Sequence, residues 1–193
     1  CLDGYCVYGG ELRAAIIKTN SKNSISSQEF ISTEAKEKYH ENEGISNSNF
    51  LKHYDELVNL GYLKKSQKKN LVLYNYTQKT MYEKNWNSST MQARGIIFNV
   101  KTQEIIARPF GKFFNINETE FTQLHNLPIN ESFEVFEKVD GVLGIIFFHN
   151  NTWELTTRGE FDSDQAIIGQ ELLKSQIDTS KLSTKYTYLC EII

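Results

Sequence analysis

The amino-acid sequence predicts an α+β domain in which antiparallel strands form the sheets and helices flank them. Three observations lead there. Short apolar runs rich in Val, Ile, Tyr and Phe recur between turn residues from Leu71 onward, which is the signature of strands joined by hairpins. Two stretches, around Phe50–Val58 and Ala166–Ile177, instead repeat their apolar residues at helical spacing. Hydrophobic residues make up 39% of the 193, with 12 Phe and 10 Tyr, enough to build a core and to exclude wholesale disorder.

The elements follow in order. The residues before Ser26 give no firm assignment. Ser26-x-x-Glu29 resembles a capping box, and Ile31, Ala35 and Tyr39 recur every four residues, so a short helix to about His40 is expected. Asn42 to Asn49 reads as a polar loop. A second helix starts with Ser48 or Asn49 as its cap, buries Phe50, Tyr54, Leu57 and Val58, and stops at Gly61. Lys64, Lys65, Lys68 and Lys69 read as a solvated link, with contact to the phosphates of a polyanion as the second reading. Strands are then expected at Leu71–Tyr76, Gly95–Val100, Glu104–Ala107, Phe133–Lys138, Val142–Phe148 and Thr152–Thr157. Asp162-x-x-Gln165 opens a helix with Ala166, Gly169, Leu173 and Ile177 on one stripe, and Tyr186–Ile193 is a last strand. Tyr74 and Tyr76 read first as packed strand aromatics and second as stacking partners for a base.

Charge and cysteine content narrow the function. Lys and Arg number 21 against 24 Asp and Glu, a net charge of −3, so a bulk electrostatic grip on nucleic acid is excluded and any such contact needs a local patch. Three cysteines, Cys1, Cys6 and Cys190, support neither a disulfide framework nor a zinc site, and Cys190 reads as a buried free thiol. No apolar run is long enough to span a membrane, and no secretory signal opens the chain, so a soluble cytoplasmic protein is expected. The chain begins with Cys1 and stops within a strand, which suggests a fragment of a longer protein.

Glu137-Lys138-Val139-Asp140-Gly141 is the segment where chemistry is expected. Asp-Gly between two apolar runs is first of all a hairpin signal. The same residues also place a lysine at a strand end with Asp140 and Gly141 shaping the turn behind it. Its neighbours strengthen the second reading: Arg94, Arg108, Lys112 and Arg158 are four cations at strand ends, and Glu191 lies in the last strand.

Lys138-Val139-Asp140-Gly141 resembles the Lys-x-Asp-Gly adenylation motif of the T-even phage-type RNA ligases, a branch of the covalent nucleotidyltransferase superfamily. Arg94-Gly95-Ile96 and Arg108-Pro109 through Lys112-Phe113-Phe114-Asn115 resemble the upstream signature of that branch. Thr157-Arg158-Gly159 stands where the family usually has a lysine before glycine, and Leu189-Cys190-Glu191 resembles its glutamate motif. The likeness runs from about Leu71 to Ile193. It implies an unassigned segment 1–45 followed by an ATP-grasp-like nucleotidyltransferase domain over 46–193, with the family's last two motifs lying beyond Ile193.

The resemblance implies an ATP-dependent RNA ligase acting in RNA repair. Lys138 would be the nucleophile that takes AMP from ATP, pass it to an RNA 5′-phosphate, and leave a 3′-hydroxyl to displace it. Arg94, Lys112, Asp140, Gly141, Arg158 and Glu191 would line the ATP/AMP site, and Glu191 would also meet Mg2+. A free lysine titrates near ~10.4, so protonation at neutral pH withholds about 4.6 kcal/mol of reactivity. Desolvation and the nearby cations are expected to lower that value. The alternatives are another covalent nucleotidyltransferase, such as a DNA ligase or capping enzyme, and a non-catalytic module that binds nucleotide or RNA ends.

Overall fold

A computed structural model describes residues 11–19, 25–34, 47–127 and 138–193. Strands β1 (Glu11–Thr19) and β2 (Ile25–Glu34) precede helix α1 (Asn47–Asn59), and β3 (Leu63–Lys68) and β4 (Leu71–Tyr76) follow. Two short helices, α2 (Gln78–Tyr82) and α3 (Ser88–Gln92), lead to β5 (Arg94–Asn99) and β6 (Ile105–Ala107). The second half holds β7 (Val142–His149), β8 (Thr152–Thr157), α4 (Asp164–Gln176) and β9 (Tyr188–Ile192). The strands form a four-stranded sheet in the order β3-β4-β5-β6 and a five-stranded sheet in the order β2-β1-β9-β7-β8. Among the described residues all strand pairings are antiparallel except β1 with β9. The α+β class with mainly antiparallel sheets and flanking helices is therefore observed.

Strand pleating explains the layering, because alternate side chains leave opposite faces. From the four-stranded sheet, Val72, Tyr74, Ile96 and Phe98 meet Tyr54 and Leu57 of α1. Leu71, Leu73 and Ile97 leave the other face and pack against Ile145, Phe147 and Leu189 of the five-stranded sheet. Ile146, Leu155 and Tyr188 then pack with Leu173 of α4. The order is helix, sheet, sheet, helix. Tyr54, Tyr74 and Phe98 form one aromatic group, with ring centroids 5.0, 5.2 and 6.0 Å apart. Tyr74 donates to Asp55 at 3.0 Å, and burial followed by that carboxylate drives its phenol pKa far upward. Tyr74 is thus a core residue.

Helix α1 ends as expected. Gly61 takes a φ of 80°, with Tyr62 N–H on the Leu57 carbonyl and Gly61 N–H on the Val58 carbonyl at 2.9 Å each. Its start differs: Ser48 and Asn49 lie inside the first turn rather than capping it. The helix expected from Ser26 to about His40 is replaced, over its described part, by β2. The run Phe30-Ile31-Ser32-Thr33 favours a strand, and a nine-pair register with β1 overrides the local capping signal. The lysine-rich link is likewise a strand. Leu63 anchors β3 in the core, and the lysines sit on a sheet edge, where such residues are common. Tyr186 and Ile193 fall outside β9, which is shorter at both ends than expected. The strand expected at Phe133–Lys138 falls mostly outside the described residues, and Lys138 itself is in coil. Strand β7 pairs with β8 and β9. No helix among the described residues is long and apolar enough to cross a membrane.

Candidate active site

Two chain segments must meet for Lys138 to have chemistry, and one glycine shows that they do. Gly141 lies so close to β9 that a Cβ there would stand 2.6 Å from the Ile192 carbonyl and 3.2 Å from the Glu191 carboxylate. The register fixes this approach, with Val142 opposite Ile192 and Leu143 opposite Glu191. Asp-Gly is therefore more than a turn former. Glycine admits the backbone against the strand that carries the glutamate.

Lys138 and Asp140 form an ion pair just before β7 begins, with side chains 70% and 92% exposed. The hydrogen bond and charge of Asp140 raise the Lys138 pKa, and the same bond lowers that of Asp140. The expected depression of the lysine is thus reversed: the carboxylate two residues away outweighs the effect of partial desolvation. Glu191 is pushed upward, first by desolvation and then by Asp140, while the positive charges of Lys138 and Arg94 pull it down. Lys138, Asp140, Glu191 and Arg94 consequently share one electrostatic neighbourhood.

Arg94 opens β5, and its guanidinium lies 4.8 Å from the Phe113 ring centre. Gly95 follows with a φ of 96°, and a Cβ there would stand 2.5 Å from Ile145 Cδ1 and 3.1 Å from Arg158 Cα. That close approach brings the backbone next to Arg94 against the backbone of Arg158 although they are far apart in sequence. Arg158, just past β8, donates to the Tyr76 hydroxyl at 3.3 Å with its guanidinium over the ring. Tyr76 meets Trp86 edge-on at 5.1 Å, and Trp86 meets Phe114 at 5.6 Å. Lys112 closes the row, its ammonium 4.1 Å from the Phe114 ring centre and 3.8 Å from Glu118. Its side chain is only 15% exposed, so Lys112 is held against aromatic faces rather than solvated. Arg108 reaches Gln92 at 3.1 Å through its guanidinium.

The RNA ligase family model matches residues 92–192, just over half of the chain. The chain belongs to this family. All seven candidate residues lie inside the matched stretch of the RNA ligase family. Among curated relatives, "Putative bifunctional polynucleotide kinase/RNA ligase" of Autographa californica nuclear polyhedrosis virus is 26% identical over 61% of this chain and 19% of its own length. "Putative RNA ligase" of Thermovibrio ammonificans is 35% identical over 43% of this chain and 22% of its own. The chain thus spans about a fifth of the length of the ligase relatives it matches.

Asp140 and Glu191 are two neighbouring carboxylates that would meet a Mg2+ ion here. That set suits an ion that commonly takes one or two protein carboxylates and completes its shell with phosphate and water oxygens. No group of three or more His, Cys, Asp and Glu is placed to hold a metal among the described residues. Cys190, flanking Glu191, is a free thiol pushed up to about 12 by burial, so it is neither a nucleophile nor a ready ligand at neutral pH. Sequence reading missed Trp86 and helices α2 and α3. The available signal was Asn87, whose side chain accepts from the Ser89 and Thr90 amides while Thr90 reciprocates.

Proposed function

We propose that this chain is the nucleotidyltransferase part of an ATP-dependent RNA ligase, with Lys138 as the residue that carries AMP. The observation that carries the reading is the meeting of Lys138, Asp140 and Gly141 with Glu191 and Arg94, three separate segments converging where β7 begins and β9 ends. In the first step Lys138 Nζ attacks the α-phosphorus of ATP. A nitrogen–phosphorus bond forms, the bond to pyrophosphate breaks, and the amine sheds its protons. An RNA 5′-phosphate then takes the AMP, and a 3′-hydroxyl displaces it to join the strand.

The residues divide that work. Arg94 and Arg158 supply fixed positive charge for phosphate oxygens, and Lys112 adds an ammonium held by Phe114 and Trp86. Glu191 faces the ribose and, with Asp140, a Mg2+ ion, which when bound neutralises phosphate charge. Asp140 also favours the charged form of Lys138, so a Mg2+ ion that engaged this carboxylate would weaken its hold on the ammonium. Incubation with ATP and Mg2+ should add one AMP to the protein by mass, and Lys138→Ala should abolish it. Labelling that persists in the variant overturns the assignment, and ligation of RNA rather than DNA ends separates this reading from a DNA ligase.

A second reading has one observation in its favour. An exposed, protonated, ion-paired lysine is what a module that only binds nucleotide or RNA ends would carry. ATP binding without any adduct would support it.

A further inference from the structure

The lysines of β3 are separated by their surroundings. Lys65 pairs with Asp55 at 2.8 Å, and Lys68 pairs with Asp162 at 2.8 Å. Lys64 instead reaches across to the β8 end, its ammonium 3.4 Å from where a Cβ on Gly159 would stand. Together with Lys79 and Arg158 it lines an open groove of about 560 Å³ that Asn75 and Tyr76 also border. Among the described residues that line it, three are cations and none is a carboxylate. Lys79 is fixed there by a 2.9 Å hydrogen bond to the Leu60 carbonyl and by the Tyr62 ring beneath it. Clustered like charges repel, and a polyanion relieves that repulsion.

Asn75 adds a second requirement. It is 5% exposed, and its Oδ1 has no hydrogen-bond partner among the described residues. A phosphate diester offers no donor for that oxygen, whereas a base or ribose does. The occupant that meets both demands is a nucleotide. The open form of the groove suits a strand that enters and leaves, as in single-strand channels that combine cations with aromatic faces.

We propose that this groove holds a nucleotide of a single RNA strand, its phosphates on Lys64 and Lys79 and a base or ribose donor on Asn75, with Arg158 at its border left to the ATP phosphates. The proposal rests on the ligase reading of the Lys138 site. Binding of a fluorescent single-stranded RNA lacking a 5′-phosphate tests it, using the whole chain and anisotropy. Lys64→Gln should weaken binding about fivefold or more and lower the salt slope by about 0.7 to 1, the loss of one phosphate contact. Lys64→Arg should retain binding, and Lys65→Gln, the same charge change outside the groove, should stay within about twofold. Equal losses in Lys64→Gln and Lys65→Gln overturn the proposal, as does a wild-type protein that binds no RNA. Displacement of that RNA by saturating ATP also overturns it, because the groove would then serve the triphosphate. AMP attachment to Lys138 is read separately: an adduct without groove binding sinks only this proposal, and groove binding without an adduct sinks only the ligase reading.

Discussion

At the residue scale the decisive pair is Lys138 with Asp140. Each stabilises the charged form of the other, so the pair persists over a wider pH range than either group alone would set. It is lost as pH falls through the lowered pKa of Asp140, and again as pH rises through the raised pKa of Lys138. Asp140→Asn should therefore bring the lysine down and speed its reaction with an amine-selective acylating reagent at fixed, mildly alkaline pH. Peptide mass spectrometry across a pH series measures this, and an unaltered rate would count against the ion pair. Glu191 shifts the other way for a carboxyl: its protonated form survives above the usual range. Any ligand that needs the carboxylate should accordingly weaken at a higher pH than an ordinary glutamate would give. The sequence made these residues legible as a group through their motif spacing. It did not reveal the direction of the lysine shift, because the distant cations were visible as a pattern while the nearness of Asp140 is a matter of side-chain geometry.

At the element scale β5 meets the end of β8 at Gly95 and Arg158. Gly95→Ala would place a methyl against Ile145 and the Arg158 backbone at a φ of 96°. A cost of about 1–3 kcal/mol is expected from overpacking and backbone strain combined. A denaturant titration reads that loss, and reduced nucleotide affinity should accompany it because Arg158 must move. Elements with strong periodicity were legible. Strand β8 lies where its residues predicted, and the turn at Lys101-Thr102 joins β5 to β6. Strands β2 and β3 were not. In each, local polar residues suggested something else, and pairing with a neighbouring strand decided the conformation. Helices α2 and α3, at five residues each, are too short for a periodic pattern to declare itself.

At the scale of the whole molecule the two sheets face each other through Leu73, Ile97, Ile145 and Phe147. Phe147→Ala removes a ring that is almost wholly buried there and should cost about 3–5 kcal/mol. For a chain of this size that lowers the melting temperature by roughly 6–20 °C. The loss should appear in a single transition, since the ring touches both sheets; two separate transitions would show that they unfold independently. The layering was only partly legible. Alternation named which residues point together, but the sequence could not say which faces would be stacked. The position of β9 has a further consequence. This strand runs between β1 and β7 and holds the Glu191 backbone opposite Leu143, whereas Lys138 lies outside any strand at the end of four rotatable bonds. Glu191 stands on a wall and Lys138 on a tether. Ordering the tether costs up to about 2 kcal/mol of rotamer entropy at each encounter, and the wall loses almost none.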